Sequence, residues 1–192
     1  MTINTSLYNA ANICLRPIDF DKDPEIESRW THDPAYLRAL RQDICMPLSP
    51  AAVKKSYEKL EKEMDEKRSL YYFTIRSRSD SQGDERLLGF TRLYGIEWAH
   101  GTAALQIAIG SPADRRQGFG SQAMNLILRY AFHETNFFRL TAVVGADNPD
   151  AVRFFQRFGF VEEVRRRQAL HRDGQYYDLL FLGLLSSEWS PT

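Results

Sequence analysis

The stretch LQIAIGSPADRRQGFGS, from Leu105 to Ser121, decides the reading of this chain. An apolar run with strand character enters a Pro-containing turn and passes through Arg115-Arg116-Gln117-Gly118-Phe119-Gly120 into a helix. Such a junction builds an anion site out of backbone. The first N–H groups of a helix lack intrahelical acceptors and sit at the positive end of its dipole. Gly118 and Gly120 carry no Cβ to hold a ligand away from those groups. Main-chain donors so arranged wrap a pyrophosphate, and Arg115 or Arg116 adds charge. The loop is neither a Walker loop, having no Gly-Lys-Ser/Thr, nor the G-x-G-x-x-G dinucleotide fingerprint. Taken alone, G-x-G also fits a tight strand-to-helix turn that binds nothing.

Downstream, Gly118 to Glu134 is expected to be a long helix, with Phe119, Ala123, Ile127, Tyr130 and Ala131 on one face. Arg139 to Val144 is a short β-branched run of the kind found in buried strands. Asn148-Pro149-Asp150 starts another helix, with Ala151, Phe154, Phe155 and Phe158 at helical spacing and Gly159 as terminator. Phe160 to Leu170 and Gln175 to Leu184 flank Arg172-Asp173-Gly174, a hairpin signal. Upstream, Ile13 to Arg16 reads as a first strand, and Asp23-Pro24-Glu25 opens a helix with Asp23 as its cap. Ser49-Pro50 opens a second helix whose Val53, Tyr57, Leu60 and Met64 form one stripe. Leu70 to Arg76 and Leu87 to Ile96 are strands joined by the polar loop SRSDSQGDE, and Thr102 to Gly110 is the strand that enters the opening motif. The expected order is β-α-α-β-β-β-α-β-α-β-β. That is an α/β (α+β) domain with a mixed, mostly antiparallel sheet flanked by helices, occupying residues 1–192 as one unit.

Bulk properties narrow the function. Of 192 residues 43% are hydrophobic and 26% charged, an ordinary globular mixture with one sizeable core. The 25 basic and 25 acidic residues cancel, which disfavours nucleic acid or an anionic membrane as partner. Cys14 and Cys45 have no ligand-like spacing, and His100, His133 and His171 are scattered, so no metal is expected. No apolar run approaches the ~20 residues of a membrane helix, and MTINTSLYNAAN lacks the parts of a signal peptide. A cytoplasmic monomer or homodimer is expected.

The spacing Arg115-x-x-Gly118-x-Gly120 after a strand ending near a proline resembles the pyrophosphate loop of the GNAT superfamily of acetyl-CoA-dependent N-acetyltransferases. Asn148-Pro-Asp-Ala151-Val-Arg-Phe-Phe-Gln-Arg-Phe158-Gly159-Phe160 is similar to that family's N-x-x-A-x-x-x-Y-x-K-x-G-F segment. Leu15-Arg16-Pro17, Trp30-Thr-His-Asp33-Pro34 and Asp173-Gly174-Gln175-Tyr176 resemble the branch that holds ribosomal-protein and spermidine N-acetyltransferases. The resemblance covers nearly the whole chain in order.

It implies that acetyl-CoA is cosubstrate and that a primary amine attacks its thioester directly in a ternary complex. The acceptor would be a protein N-terminus, a polyamine or an amino sugar. Implied cofactor contacts are Ile107, Ala108, Ile109, Arg115, Arg116, Gln117, Gly118, Phe119, Gly120, Ser121, Asn148 and Phe155. Asn148 is equally well read as a plain helix cap. The strand from Leu105 to Ile109 supplies a backbone N–H for the thioester oxygen, and parts from the Arg139 to Val144 strand to leave a cleft for pantetheine.

Two departures stand out. Phe155 occupies the position where many members carry the tyrosine that protonates the leaving thiolate, and Ala103 and Ala104 stand where an acidic residue is common. Glu97 as base, and Tyr176 or Tyr177 as hydroxyl donor, are the candidate replacements; alternation lets only one of the tyrosines serve. Phe155 also motivates an alternative, a CoA-binding sensor without turnover. An unrelated α/β interaction protein would require the loop match to be accidental.

Overall fold

In the computed structural model, which describes residues 6–78 and 85–190, strands β1 (Ile13–Arg16), β2 (Leu70–Ser77), β3 (Leu87–Glu97), β4 (Thr102–Ile109), β5 (Arg139–Gly145), β6 (Val161–Arg172) and β7 (Gln175–Leu185) form one sheet. Its order is β1-β2-β3-β4-β5-β7-β6. Every neighbouring pair is antiparallel except β4 and β5. The mixed, mostly antiparallel sheet with helices on its faces is the fold the sequence called for. The middle of the β2–β3 loop, residues 79–84, and the first five residues of the chain lie outside the described residues.

The helices are α1 (Asp23–Trp30), α2 (Pro34–Leu40), α3 (Pro50–Lys67), α4 (Phe119–Arg129) and α5 (Pro149–Arg157). The short α2 is an addition to the expected order. Its signal repeats the one that announced α3: Asp33 accepts the Ala35 N–H at 2.9 Å ahead of Pro34, as Ser49 accepts from Ala52 ahead of Pro50. The expected helix to Glu134 runs as α-helix to Arg129 and then closes with a π-turn over Tyr130–Glu134. Asp173 and Gly174 both take positive φ (50° and 74°), which a two-residue hairpin of this hand needs.

Each face of the sheet buries a different helix set. Leu93, Ala103 and Leu105 pack with Met124, Ile127 and Leu128 of α4 and Phe155 of α5. On the opposite face, Tyr72 and Phe90 pack with Trp30, Tyr36, Leu37, Val53 and Tyr57 from α1 to α3. The alternation of β4 makes this possible: odd positions face α4 and even ones face α2. Gly110, just past β4, lets α1 close down, because a Cβ there would lie 2.0 Å from the Trp30 ring.

Asp23 is not the cap of α1. It is the first helical residue, fully buried, and both its oxygens receive Nη2 of Arg76 on β2, at 2.8 and 2.7 Å. A helix start without a side-chain cap is thus bolted to the sheet by an ion pair. The two thiols also differ. Cys14 is buried in β1 and desolvation pushes its pKa up to about 11, whereas Cys45 is half-buried. A disulfide reagent at pH 8 is expected to label one thiol quickly in the native protein and two after denaturation; two fast thiols would contradict the placement of Cys14.

Candidate active site

β4 and β5 are hydrogen-bonded only over Thr102↔Arg139, Ala103↔Leu140 and Ala104↔Thr141. Beyond that, β4 stays with β3 as far as Ile109, and β5 stays with β7 as far as Gly145. The two central strands therefore part like the arms of a V. A cleft of about 1010 Å³ opens at their C-terminal ends, floored by Ile107, Ala108 and Ile109. Ligands bind preferentially at such a place in a sheet.

The Gly110 N–H donates to the Leu88 carbonyl, and the β3–β4 register is unbroken from Gly89↔Ile109 to Tyr94↔Ala104. Alternation then directs the peptide groups of Ala108 and Gln106 to β3, and those of Leu105, Ile107 and Ile109 away from it. Arg115 takes up the Ile109 and Gly110 carbonyls at 3.3 and 2.8 Å. The Ile107 peptide is left facing the open cleft, with the polarity needed to receive an extended amide chain or a carbonyl oxygen.

At the end of this floor lies the head of α4. Its N-cap is Gly118, at φ 83°, and no side chain caps it, whereas α2, α3 and α5 are each capped by Asp33, Ser49 and Asn148. The Gln122 N–H makes the first intrahelical bond, to Gly118, so the preceding N–H groups stay free of helical partners. A Cβ on Gly118 would meet nothing within 4 Å, and one on Gly120 only the Phe154 ring and Ile109 at ordinary contact. Open space before uncapped amides is what an anion requires.

Charge is divided along the cleft. Near α4 and α5, Arg116, Arg153 and Arg157 stand against a single carboxylate, Asp150, to which both Arg116 and Arg153 are bonded. Near α2, Arg38, Arg115 and Arg172 are matched by Asp33, Asp147 and Asp173. The excess positive charge thus lies at the α4–α5 end, and the α2 end is balanced. A polyphosphate belongs at the first and an uncharged or cationic group at the second.

Of the expected cofactor contacts, Ile107, Ala108, Ile109, Arg115, Arg116, Gly118, Gly120, Ser121, Asn148 and Phe155 line the cleft. Two side chains turn elsewhere: Gln117 donates to the Ala113 carbonyl, and Phe119 packs beside the core cluster of Ile13 and Ile75. Arg115 is a brace as much as a cofactor candidate, since its Nη2 also reaches Asp33 at 3.0 Å and so joins the loop to α2. Asn148 accepts the Ala151 N–H at 3.1 Å, which fulfils its capping reading while it borders the cleft. Phe155 is buried between Phe154 and Phe160.

The structure separates Glu97 and Tyr176 from the cleft. Glu97 pairs with Thr102, at the closed end of β4, seven residues from Ile109, or roughly 20 Å along the strand. Because β3 and β4 are antiparallel, the end of β3 meets the start of β4 and not its open end. Tyr176 is 64% exposed beside His171, and its neighbour Tyr177 is the hydroxyl that borders the cleft, bonded to Gln175 at 2.9 Å. Alternation sends the two to opposite faces, and the hairpin's attachment puts Tyr177 at the cleft.

Behind the α2 wall lies a polar group that composition did not reveal. The Glu27 carboxylate accepts from Tyr57, and Tyr36 lies alongside. Desolvation raises the Glu27 pKa against the opposing pull of the Tyr57 hydroxyl, and burial, then Glu27, pushes Tyr36 well up. Among the described residues no group of three His, Cys, Asp or Glu is placed to hold a metal, and no helix is long and apolar enough to cross a membrane.

Comparison with known proteins agrees with this geometry. A family model described as an acetyltransferase (GNAT) domain matches residues 12–161, so the chain belongs to the GNAT acetyltransferases, with acetyl-CoA as acyl donor. Spermidine N(1)-acetyltransferase of Vibrio cholerae is 28% identical over 138 residues, covering 69% of this chain and 79% of that one. The probable N-acetyltransferase YjcK of Bacillus subtilis is 31% identical, covering 68% and 67%. The crystal structure of the Vibrio cholerae spermidine enzyme in complex with CoA and spermine superposes with a TM-score of 0.77 at 22% identity, covering 92% of this chain and 96% of that one.

Proposed function

We propose that this chain transfers acetyl from acetyl-CoA to the primary amine of a protein N-terminus or small-molecule acceptor by direct attack in a ternary complex. The observation that carries the proposal is the splay of β4 from β5 running straight into the uncapped head of α4. The diphosphate is assigned to the amides after Gly118, with Arg116 and Arg153 exchanging part of their Asp150 contact for phosphate. Pantetheine follows β4 between the arms of the V, and the thioester reaches the Ile107 peptide and Phe155. The acceptor enters from the α2 end, where charge is balanced. Its ammonium gives up a proton to solvent water, the nitrogen adds to the thioester carbon, and the oxyanion meets a backbone N–H. The C–S bond then breaks, and the thiolate takes a proton released from the nitrogen. Phe155 donates none, so positioning supplies the greater share of the acceleration.

The relatives named for spermidine support a polyamine as one acceptor class to test first. A panel of polyamines, amino sugars and N-terminal peptides with acetyl-CoA is expected to release free CoA thiol above background with at least one member. CoA binding without release from any member would remove turnover from the account.

That second outcome is the sensor reading, and Phe155 is the observation that favours it. Phe155→Tyr separates the two. Its ring already lines the cleft, so a hydroxyl needs little rearrangement. An enzyme that works without this acid is expected to change kcat less than about threefold, and a retired one to gain ~100-fold, the size of a restored general acid. CoA affinity should stay the same in both.

A further inference from the structure

Four carboxylates border the cleft, and three have both oxygens engaged. Asp33 accepts from Ala35 and Arg115, Asp173 holds both arms of Arg38, and Asp150 holds Arg116 and Arg153. Asp147 differs. Its Oδ2 receives Nη1 of Arg172 at 2.5 Å, while Oδ1, buried, has no hydrogen-bond partner. A buried acceptor with no donor is unfavourable, and the arrangement around this one is built rather than accidental. Oδ1 lies 2.2 Å from where a Cβ on Gly145 would be, so only glycine at that position lets the carboxylate fold back over the end of β5. Arg172 is anchored in turn on the carbonyls of Arg38 and Arg41 at 2.8 and 2.9 Å. The guanidinium therefore holds the carboxylate in place from one side and leaves the other side unanswered.

A second polar group belongs to a residue of the cleft's α2 wall. Tyr36 of α2 is only 2% exposed and borders the cleft, and its hydroxyl, beside the Glu27 carboxylate, makes no hydrogen bond of good geometry. Burial and Glu27 keep it neutral, so it retains lone pairs for a donor. Both vacant acceptors lie toward the α2 end, away from the arginine excess, and every arginine of that end is already bonded to a carboxylate. A ligand that satisfies a carboxylate oxygen and a hydroxyl oxygen at once brings several N–H donors and positive charge.

We infer that Asp147, with Tyr36 across the cleft, is the specificity-determining site for the acceptor and receives it as an alkylammonium cation. This rests on the acetyl-transfer reading for the word acceptor, but the binding it describes does not need turnover. Charged substrates dock on Asp147 Oδ1, and the Arg172–Asp147 pair stays intact beneath them. Nothing is transferred to Asp147 itself.

The experiment measures binding and kinetics on the intact chain loaded with CoA or acetyl-CoA. Spermidine is the charged probe; an alkoxyamine, uncharged at neutral pH, is the neutral probe. Asp147→Asn presents an amide where the carboxylate was, and is expected to weaken spermidine binding to the CoA complex at least tenfold. The KM for spermidine should rise likewise and at least fivefold more than that for the alkoxyamine, with a thermal melt recording what the loss of the Arg172 counter-charge does to folding. Tyr36→Phe removes an oxygen whose one near polar neighbour is Glu27, itself held by Tyr57, so it is expected to fold as wild type does and to weaken spermidine severalfold. Equal losses on the charged and neutral probes would mark Asp147 as a structural brace and overturn the inference, as would full spermidine affinity in both variants, or no spermidine binding by wild type at millimolar concentration. Spermidine binding that depends on Asp147 in a chain that acetylates nothing would keep the inference and remove the acetyl-transfer reading.

Discussion

Gly118→Val is expected to weaken CoA binding at least 100-fold while the protein stays folded. The prediction depends on separating two effects of one side chain. A non-glycine residue at φ 83° is strained by about 1–2 kcal/mol, a loss that falls on folding. A Cβ on Gly118 would meet nothing within 4 Å, so the side chain starts into open space and the folding loss is chiefly this strain. That same space is where the diphosphate is proposed to sit, and filling it is expected to remove about 2.8 kcal/mol or more of binding, the equivalent of 100-fold. Gly118→Ala is the control, carrying the strain with little of the bulk. Titration calorimetry with CoA and thermal melts of both variants make the comparison. Parallel losses of affinity and stability across the two would mean that the loop is only a turn.

The second large effect falls entirely on folding. Asp23→Ala is expected to destabilise by about 3–5 kcal/mol, because it leaves the Arg76 guanidinium buried without its counter-charge. The Asp19 N–H also loses its acceptor at 2.8 Å. Replacing both partners with apolar residues of similar size, Asp23→Leu with Arg76→Met, should recover most of the loss, since a buried pair stabilises little over good packing. Urea unfolding midpoints of the single and double variants test this; a single variant within 1 kcal/mol of wild type would mean the pair is solvated.

Asp23 also illustrates how far the sequence could be read. Asp-Pro before an apolar-periodic run correctly announced a helix, but the same two letters describe a capping residue and a buried ion-pair partner. Only the arrival of Arg76 from a strand some fifty residues away distinguishes them, and local pattern carries no record of that. Asp33-Pro34 carried the same signal and α2 could have been found with it; seven residues offered too little periodicity to stand out. The opposite holds for the anion loop. The role proposed for it rests on backbone amides and on two glycines one residue apart, so local reading placed Gly118 and Gly120 at the cleft directly.

Groups that act across the sheet were less legible. Glu97 stands at a strand end, and a strand has two; the antiparallel β3–β4 turn put it at the closed one. Tyr176 and Tyr177 differ by one residue of register, and that residue alone puts Tyr177 rather than Tyr176 at the cleft. Asp147 gave no signal at all. What singles it out is an oxygen without a partner, fixed by Gly145 behind and Arg172 beside it, and unmet hydrogen bonds are visible only once the chain is folded.

The most direct measurement is a crystal structure of the chain with CoA. The diphosphate should lie about 3 Å from the main-chain nitrogens that follow Gly118, with pantetheine running between β4 and β5 past Ile107. A diphosphate bound anywhere else on the molecule, with the head of α4 unoccupied, would contradict the account.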